Sequence, residues 1–150
     1  MAFLSPINQR RFTNFKANRR GYISFWLFMI LFIVTLGAEF IANDKPLLVT
    51  FEERVIFPIF ETIPETDFGG EFATEAEYRD EFVRDLIENK GEIYWSLIPY
   101  SHDTINYDLP SAAPSGPTAE NWLGTDDQGR DVVARLIYGF RISVLFGLVL

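Results

Sequence analysis

The stretch NWLGTDDQGRDVVARLIYGFRISVLFGLVL, residues 121–150, decides the fold because a dense run of charges stands directly ahead of an apolar run. No charged residue follows Arg141, and the uncharged tail is about half of the ~20 residues that span a membrane. Residues 142–150 therefore predict the start of a second transmembrane helix. Because half a span would leave unpaired carbonyls in lipid, we expect the chain to be a fragment of a longer polytopic protein.

The charged part of this stretch, residues 121–141, predicts a helix of its own. Thr125 and Gln128 have the spacing of a capping box, so the helix is expected to begin at Thr125. Asp131 and Arg135 stand four residues apart, in the order that stabilises a helix. Charged and apolar faces then separate as in a helix that lies in the membrane interface. We interpret this segment as an elbow, with a bend at Gly139 where the chain enters the membrane.

The amino-terminal part predicts a first transmembrane helix over residues 21–42. Residues 1–20 contain five basic residues and no acid, and residues 21–38 contain no charge. The positive-inside rule keeps the basic tail cytoplasmic and exports the acidic segment that follows. A cleaved signal peptide is the alternative, but the apolar run is too long for one, and bulky Leu36 and Phe40 precede its two possible cleavage sites.

The exported segment, residues 43–120, predicts a small α+β insertion. Apolar, β-prone runs at 47–51 and 55–60 flank a charged turn, which favours a hairpin. Thr74 and Glu77 have capping-box spacing, and apolar residues recur at helical intervals, so a helix is expected over 74–91. The whole chain is therefore expected to be a mainly α membrane protein with a small α+β periplasmic insertion between its two spans.

Composition excludes several classes of activity. The 150 residues carry a net charge of −8 and no cysteine, so disulfides and cysteine-based zinc sites are absent. There is no phosphate-binding loop, and the acids of 126–131 lack the glycine position of a calcium loop. The single histidine, His102, is expected to be an ordinary solvated residue, and Glu39 an interfacial carboxylate in water. We predict no catalytic residue, no cofactor, no metal site and no nucleic-acid partner.

The pattern L-G-T-D-x-x-G-R-D-x-x-x-R-x-x-x-G-x-R-x-S, at Leu123–Ser143, closely resembles the hallmark of a family of transport proteins. The family is the C-type permease subunit of binding-protein-dependent peptide ABC importers. The run FIANDKPLLV at 40–49 and the large insertion are similar to the branch that imports oligopeptides and the peptide-nucleotide antibiotic microcin C.

This resemblance implies a multi-pass permease of the Gram-negative cell inner membrane, with a cytoplasmic N-terminus and residues 43–141 in the periplasm. It implies a second permease subunit, cytoplasmic ATPase subunits and a periplasmic peptide-binding protein as partners, with membrane lipid around the spans. ATP hydrolysis would belong to the separate ATPase subunits. The substrate-binding residues and the exact substrate stay unknown.

The resemblance also selects the candidate site residues, for which two roles stay open. The motif either has a structural role as cap and elbow, or forms a periplasmic gate or docking surface for the binding protein. The alternative function for the chain is a membrane-anchored periplasmic binding or assembly protein. The residues that carry the motif are Gly124, Thr125, Asp126, Gly129, Arg130, Asp131, Arg135, Gly139, Arg141 and Ser143.

Overall fold

The computed structural model describes residues 5–150, which divide into one unit ending at Leu36 and another beginning at Gly37. The first unit consists of helices α1 (Pro6–Ala17) and α2 (Arg19–Leu36). Most of the basic tail, for which the sequence indicated only a cytoplasmic location, is therefore helical. Helix α2 is uncharged from its third residue onward and has a mean hydropathy of 1.5, so it is long and apolar enough to span a membrane.

The second unit contains a small antiparallel sheet between two helical regions. After the short helix α3 (Ala38–Ile41), strands β1 (Leu48–Phe51) and β2 (Arg54–Ile56) form the predicted hairpin, which is thereby confirmed. Its two turn residues, Glu52 and Glu53, have φ angles of 45° and 67°, as a tight two-residue hairpin requires. Strand β3 (Gly91–Tyr94) pairs with the other side of β1, so the sheet order is β2-β1-β3.

The helix predicted over 74–91 is shorter than expected. Helix α4 is Glu81–Glu88, and the side chain of Asp80 caps it by accepting from the backbone N–H groups of Phe82 and Val83. The prediction that Thr74 starts this helix is wrong, because the chain at 74–76 is extended. Its backbone there pairs with residues 63–65, the Ala76 N–H donating to the Ile63 carbonyl at 2.9 Å.

Two apolar clusters form the interior of the second unit. The first lies under the sheet, between α4 and a 3₁₀ helix at Glu65–Phe68, and its buried members are Val49, Phe51, Phe68, Ala76, Tyr78, Val83 and Ile87. The second joins α3 to the last helix, and its members are Ala38, Ala42, Ile98, Tyr100, Ala134 and Tyr138. The second cluster thus brings α3, which precedes the sheet in the sequence, against the last helix, which follows it.

The last helix, α5, is Val132–Val149, with a mean hydropathy of 1.8. It begins after the predicted start at Thr125 and runs through Gly139 without interruption, so the described residues 121–149 contain a structured turn followed by one helix. The expected mainly helical fold with some sheet and two candidate membrane helices is confirmed. The periplasmic placement of the insertion and the interfacial position of the elbow stay predictions.

Candidate functional site at the motif turn

The first part of the motif is a tight turn closed by the carboxylate of Asp126. One oxygen accepts from the backbone N–H groups of Gln128 and Arg130, both at 2.9 Å. The other oxygen pairs with Arg130 Nη2 at 2.8 Å and with the guanidinium of Arg135. Gly129, at φ 81°, completes the reversal of the chain, and its N–H donates to the Asp126 carbonyl at 3.1 Å. The Asp126 carboxylate therefore organises the turn by accepting four hydrogen bonds, two from backbone N–H groups and one from each of the Arg130 and Arg135 guanidinium groups.

These contacts determine the charge state of Asp126. Partial burial by itself would raise the pKa of this carboxyl. The hydrogen bonds from the backbone and side chain of Arg130 and from the Gln128 N–H outweigh that effect and hold the pKa well below its ordinary value of 3.8. The carboxylate is thus fixed as an anion between the cations of Arg130 and Arg135.

The second acid of the motif, Asp131, is the cap of helix α5 and is fully buried. One of its oxygens accepts from the Ala134 N–H at 2.7 Å, which satisfies one of the free donors of the first helical turn. The other accepts from the Asn121 side-chain amide at 2.9 Å. The predicted pairing of Asp131 with Arg135 is wrong, because capping uses the carboxylate and Arg135 reaches Asp126 instead.

Asp131 is also the end of a buried chain of polar side chains. The Asn121 side-chain oxygen accepts from the amide of Asn106 at 3.1 Å, and that amide also donates to the Tyr100 hydroxyl at 2.9 Å. The Tyr100 hydroxyl donates to Glu120 at 3.1 Å. The helix cap is therefore connected to residues of the preceding insertion, at positions where an unpaired polar group would be costly.

Gly124 and Thr125 attach the motif to residues 115–116. Gly124 has a φ of 75°, and a Cβ there would lie 2.3 Å from the Ser115 carbonyl oxygen. That carbonyl accepts from the Thr125 N–H at 2.9 Å, and the Thr125 hydroxyl accepts from the Ser115 N–H at 3.0 Å. The segment SAAPSGP, which reads as a linker in the sequence, is therefore held against the motif at Ser115.

A second contact region lies further along α5, where the helix meets α3. Arg141 Nη1 donates to both carboxylate oxygens of Glu39, at 3.0 and 2.8 Å. The Tyr138 hydroxyl donates to the Ala42 carbonyl at 2.9 Å. Glu39 is therefore ion-paired, where the sequence indicated a carboxylate in water. The ring of His102 stacks on that of Tyr138 with centroids 4.7 Å apart, so the expected solvated histidine has an aromatic partner on one face.

The structure brings most of the candidate residues together, but not all of them. The residues of the turn and the helix cap form one cluster, whereas Arg141 pairs separately with Glu39. Gly139 and Ser143 lie on exposed positions of α5, and a methyl group at Gly139 would meet open space beside the helix. The clustered motif residues are Gly124, Thr125, Asp126, Gly129, Arg130, Asp131 and Arg135.

Sequence reasoning missed the residues that support this cluster from outside the motif. Asn106, Tyr100 and Ser115 stand in irregular segments, where no periodicity marks a buried polar residue. Asn121 directly precedes the motif, but its amide shows its role only once Asp131 is known to cap the helix. In residues 5–150, no group of three or more histidine, aspartate or glutamate side chains could hold a metal ion.

Comparison with known proteins gives matches along the full length of the chain. It is 48% identical over 150 residues to the inner membrane ABC transporter permease protein YejE of Escherichia coli K12, covering 100% of this chain and 44% of that protein. It is 46% identical over 172 aligned positions to the peptidoglycan transport system permease protein YejE of Agrobacterium fabrum, covering 99% of this chain and 45% of that protein.

A shorter match involves another branch of permeases. The chain is 53% identical over 38 residues to the dipeptide transport system permease protein DppC of Alkalihalophilus pseudofirmus, which covers 25% of this chain and 12% of that protein. No family model matches the chain. No solved structure matches it.

These matches make the chain similar along its whole length to inner-membrane transport permeases, and its two helices suited to cross a membrane agree with that similarity. More particularly, the matches run over the whole chain to two permeases named YejE and over 38 residues to a dipeptide permease, so the resemblance to permease subunits of peptide ABC importers is confirmed. The assignment to the branch that imports microcin C stays a prediction. The chain spans less than half the length of the two full-length matches. Those relatives are transport components by name, not enzymes.

Proposed function

We propose that this chain is part of the permease subunit of an ATP-driven, binding-protein-dependent importer of peptides or peptide-like compounds such as microcin C. The observation that carries the proposal is the 48% identity to a named permease along the whole chain. A dipeptide permease and a glutathione permease among the shorter matches support a peptide-like substrate. The chain itself contributes no catalytic residue to this reaction.

The partners follow from the transport mechanism. An importer of this kind needs a second permease subunit to complete the pathway, cytoplasmic ATPase subunits to supply energy, and a periplasmic binding protein to deliver the peptide. Lipid surrounds the two spans. The absence of a phosphate-binding loop from the 150 residues agrees with ATP hydrolysis by a separate subunit.

The proposed topology places the N-terminus in the cytoplasm. Residues 1–20 form the cytoplasmic tail, 21–42 the first span, 43–120 the periplasmic insertion, 121–141 the elbow and 142–150 the start of the second span. The five basic and no acidic residues of the tail support this direction. The acids from Asp44 to Asp131 then face the periplasm.

For the motif, the contacts favour a structural role. The carboxylates of Asp126 and Asp131 accept hydrogen bonds within the turn and the helix cap. The absence of a side chain at Gly124 lets the Ser115 carbonyl pack against it. A gate or docking role would use the parts of Arg130 and Arg135 that stay accessible. An Arg130→Ala protein that assembles normally but has impaired uptake would favour the gate. Normal uptake in a correctly assembled Arg130→Ala protein would exclude the gate and support the structural role.

The function is tested by deleting the gene from its host and measuring uptake of radiolabelled oligopeptides and sensitivity to microcin C. We expect both to fall and to be restored by the full-length wild-type gene. Normal uptake and sensitivity in the deletion strain would contradict the proposal. If the deletion strain instead lacked an assembled membrane complex unrelated to uptake, an assembly role would be the better account.

A further inference from the structure

An aromatic turn follows strand β2 and points away from the interior of the second unit. The Phe57 carbonyl accepts from the N–H groups of Phe60 and Glu61, at 2.9 and 3.2 Å, which closes the turn. Pro58 is fully buried, whereas Phe57 and Phe60 are 45% and 72% exposed. The proline therefore anchors a turn whose two phenylalanine rings face outward.

This turn contacts helix α3 through a third phenylalanine. The rings of Phe40 and Phe60 have centroids 6.1 Å apart, and Phe40 is 54% exposed. The contacting rings of Phe40 and Phe60, together with the exposed Phe57 of the same turn, are called the aromatic anchor below. Unlike tyrosine and tryptophan, phenylalanine has no polar group on its ring. The anchor therefore forms no side-chain hydrogen bond with water.

The part of α5 that lies beside Phe40 follows from the contacts of its neighbours Glu39 and Ala42. Glu39 pairs with Arg141, and the Ala42 carbonyl accepts from Tyr138. Phe40 stands between those two contacts in sequence, so it lies at the level of the second and third turns of α5. Those turns are inside the segment Val132–Val149, which is apolar enough to span a membrane.

We propose that the aromatic anchor inserts into the lipid of the membrane leaflet at which α5 enters, and so holds the insertion against the membrane surface. The proposal rests on the proposed function, which makes residues 121–141 an elbow at the membrane and begins the second span at residue 142. Lipid is the occupant we choose because the anchor lies at the level of Tyr138 and Arg141, directly ahead of that span, where an apolar surface can meet the lipid around the helix. The second permease subunit is the competing occupant.

The test uses single cysteines carrying a nitroxide spin label in the full-length permease, reconstituted in liposomes, with any cysteine beyond residue 150 replaced. Phe60→Cys and Phe57→Cys report the anchor independently, in case one variant fails to fold. Phe72→Cys is the matched control, because Phe72 is also an exposed phenylalanine, at 63%, in a different loop. The measured quantity is the collision rate of the label with oxygen, which dissolves in lipid, and with a water-soluble nickel chelate.

We expect the labels at 57 and 60 to collide more with oxygen than with the nickel chelate, and the label at 72 to show the reverse. Labels at 57 and 60 that behave like the label at 72 would overturn the proposal. Labels shielded from both reagents would also overturn it, and would assign the anchor to a protein partner. Peptide uptake by the same liposomes, with the partner subunits added, measures the proposed function separately, so either can fail alone.

Discussion

Arg141 and Glu39 are joined by two hydrogen bonds, since one guanidinium nitrogen donates to both carboxylate oxygens, at 3.0 and 2.8 Å. The two residues are 102 positions apart in the sequence, and each side chain belongs to an otherwise apolar stretch. A charge without a partner in partly buried, apolar surroundings is costly, and the ion pair offsets part of that cost. The pair therefore fixes α3 against α5 in one register.

Removing one partner of this pair should destabilise the protein. Glu39→Gln leaves Arg141 without a counter-charge, and the pair is intermediate between buried and surface pairs, with side chains 42% and 20% exposed. We expect a loss of about 1–3 kcal/mol in the free energy of unfolding. Thermal unfolding of the purified protein in detergent measures it. The charge-reversed pair Glu39→Arg with Arg141→Glu should recover part of the loss, and a wild-type midpoint for Glu39→Gln would contradict the prediction.

Removing the buried cap Asp131 should lower the stability of the protein more than removing the nearby exposed acid Asp127. Asp131→Ala removes the acceptor of the Ala134 N–H and leaves the Asn121 amide with an unpaired donor. We expect a loss of about 2–4 kcal/mol in the free energy of unfolding, from the cap and the buried donor together. Asp127→Ala is the control, since Asp127 is an exposed acid of the same turn, and it should change stability by less than about 0.5 kcal/mol. A loss for Asp131→Ala as small as that for Asp127→Ala would show that the cap contributes little to the stability of the protein.

Two glycines of the motif should respond to alanine in opposite directions. Gly124→Ala places a methyl group where the Ser115 carbonyl lies, at a φ that disfavours any side chain, so we expect a loss of about 1–3 kcal/mol or more. Gly139→Ala meets nothing within 4 Å inside a helix and should be neutral or stabilising by up to about 1 kcal/mol. Unfolding midpoints compare the two. A stable Gly139→Ala protein that no longer imports peptide would instead indicate that this position bends during transport.

The turn should lose stability in acid. Because the pKa of Asp126 in the folded protein lies below its ordinary value of 3.8, its carboxylate stabilises the fold at every pH above that value. The contribution is lost as the pH falls below 3.8 towards the lower folded pKa. The difference in unfolding midpoint between the wild type and Asp126→Asn should be constant from about pH 7 to pH 5 and should narrow below about pH 4. A difference that stays constant down to pH 3 would exclude this linkage.

The proposed topology predicts which positions a membrane-impermeant thiol reagent can reach. The chain has no cysteine of its own, so a single introduced cysteine gives an unambiguous signal from residues 1–150. On spheroplasts, Tyr107→Cys and Phe72→Cys should react, since both positions are exposed in the insertion. Ile7→Cys, exposed on α1, should react only after the membrane is opened. The opposite pattern of reaction would reverse the topology.

Periodicity and charge were enough to predict the parts of the fold that follow from local patterns. The apolar runs gave both candidate spans, and the two β-prone runs on either side of Glu52 and Glu53 gave the hairpin. The capping boxes at Thr74 and Thr125 misled for a common reason. In each case an aspartate further along, Asp80 or Asp131, caps the helix, while the earlier residues pair with distant backbone.

The candidate site was only partly within reach of the sequence. The sequence marked out the motif residues but placed them on a helix beginning at Thr125, whereas the first of them form a turn ahead of α5. Their partners could not be predicted, because the contacts of Asn106 with Asn121 and of Ser115 with Thr125 join segments whose separation no periodic pattern encodes. Glu39 and Arg141 were each visible as charges in apolar surroundings, but only the packing of α3 on α5 makes them partners.

The hydrogen bond from Tyr138 to the Ala42 carbonyl means that the insertion leaves α3 and returns to α5 at the same place. A segment with adjacent ends is a module in the evolutionary sense, since it can be exchanged or reduced without moving the helices that carry it. Homologous chains can therefore vary this segment while α3 and α5 keep their arrangement. In engineering terms, another domain grafted between α3 and the motif turn would find its two attachment points close together.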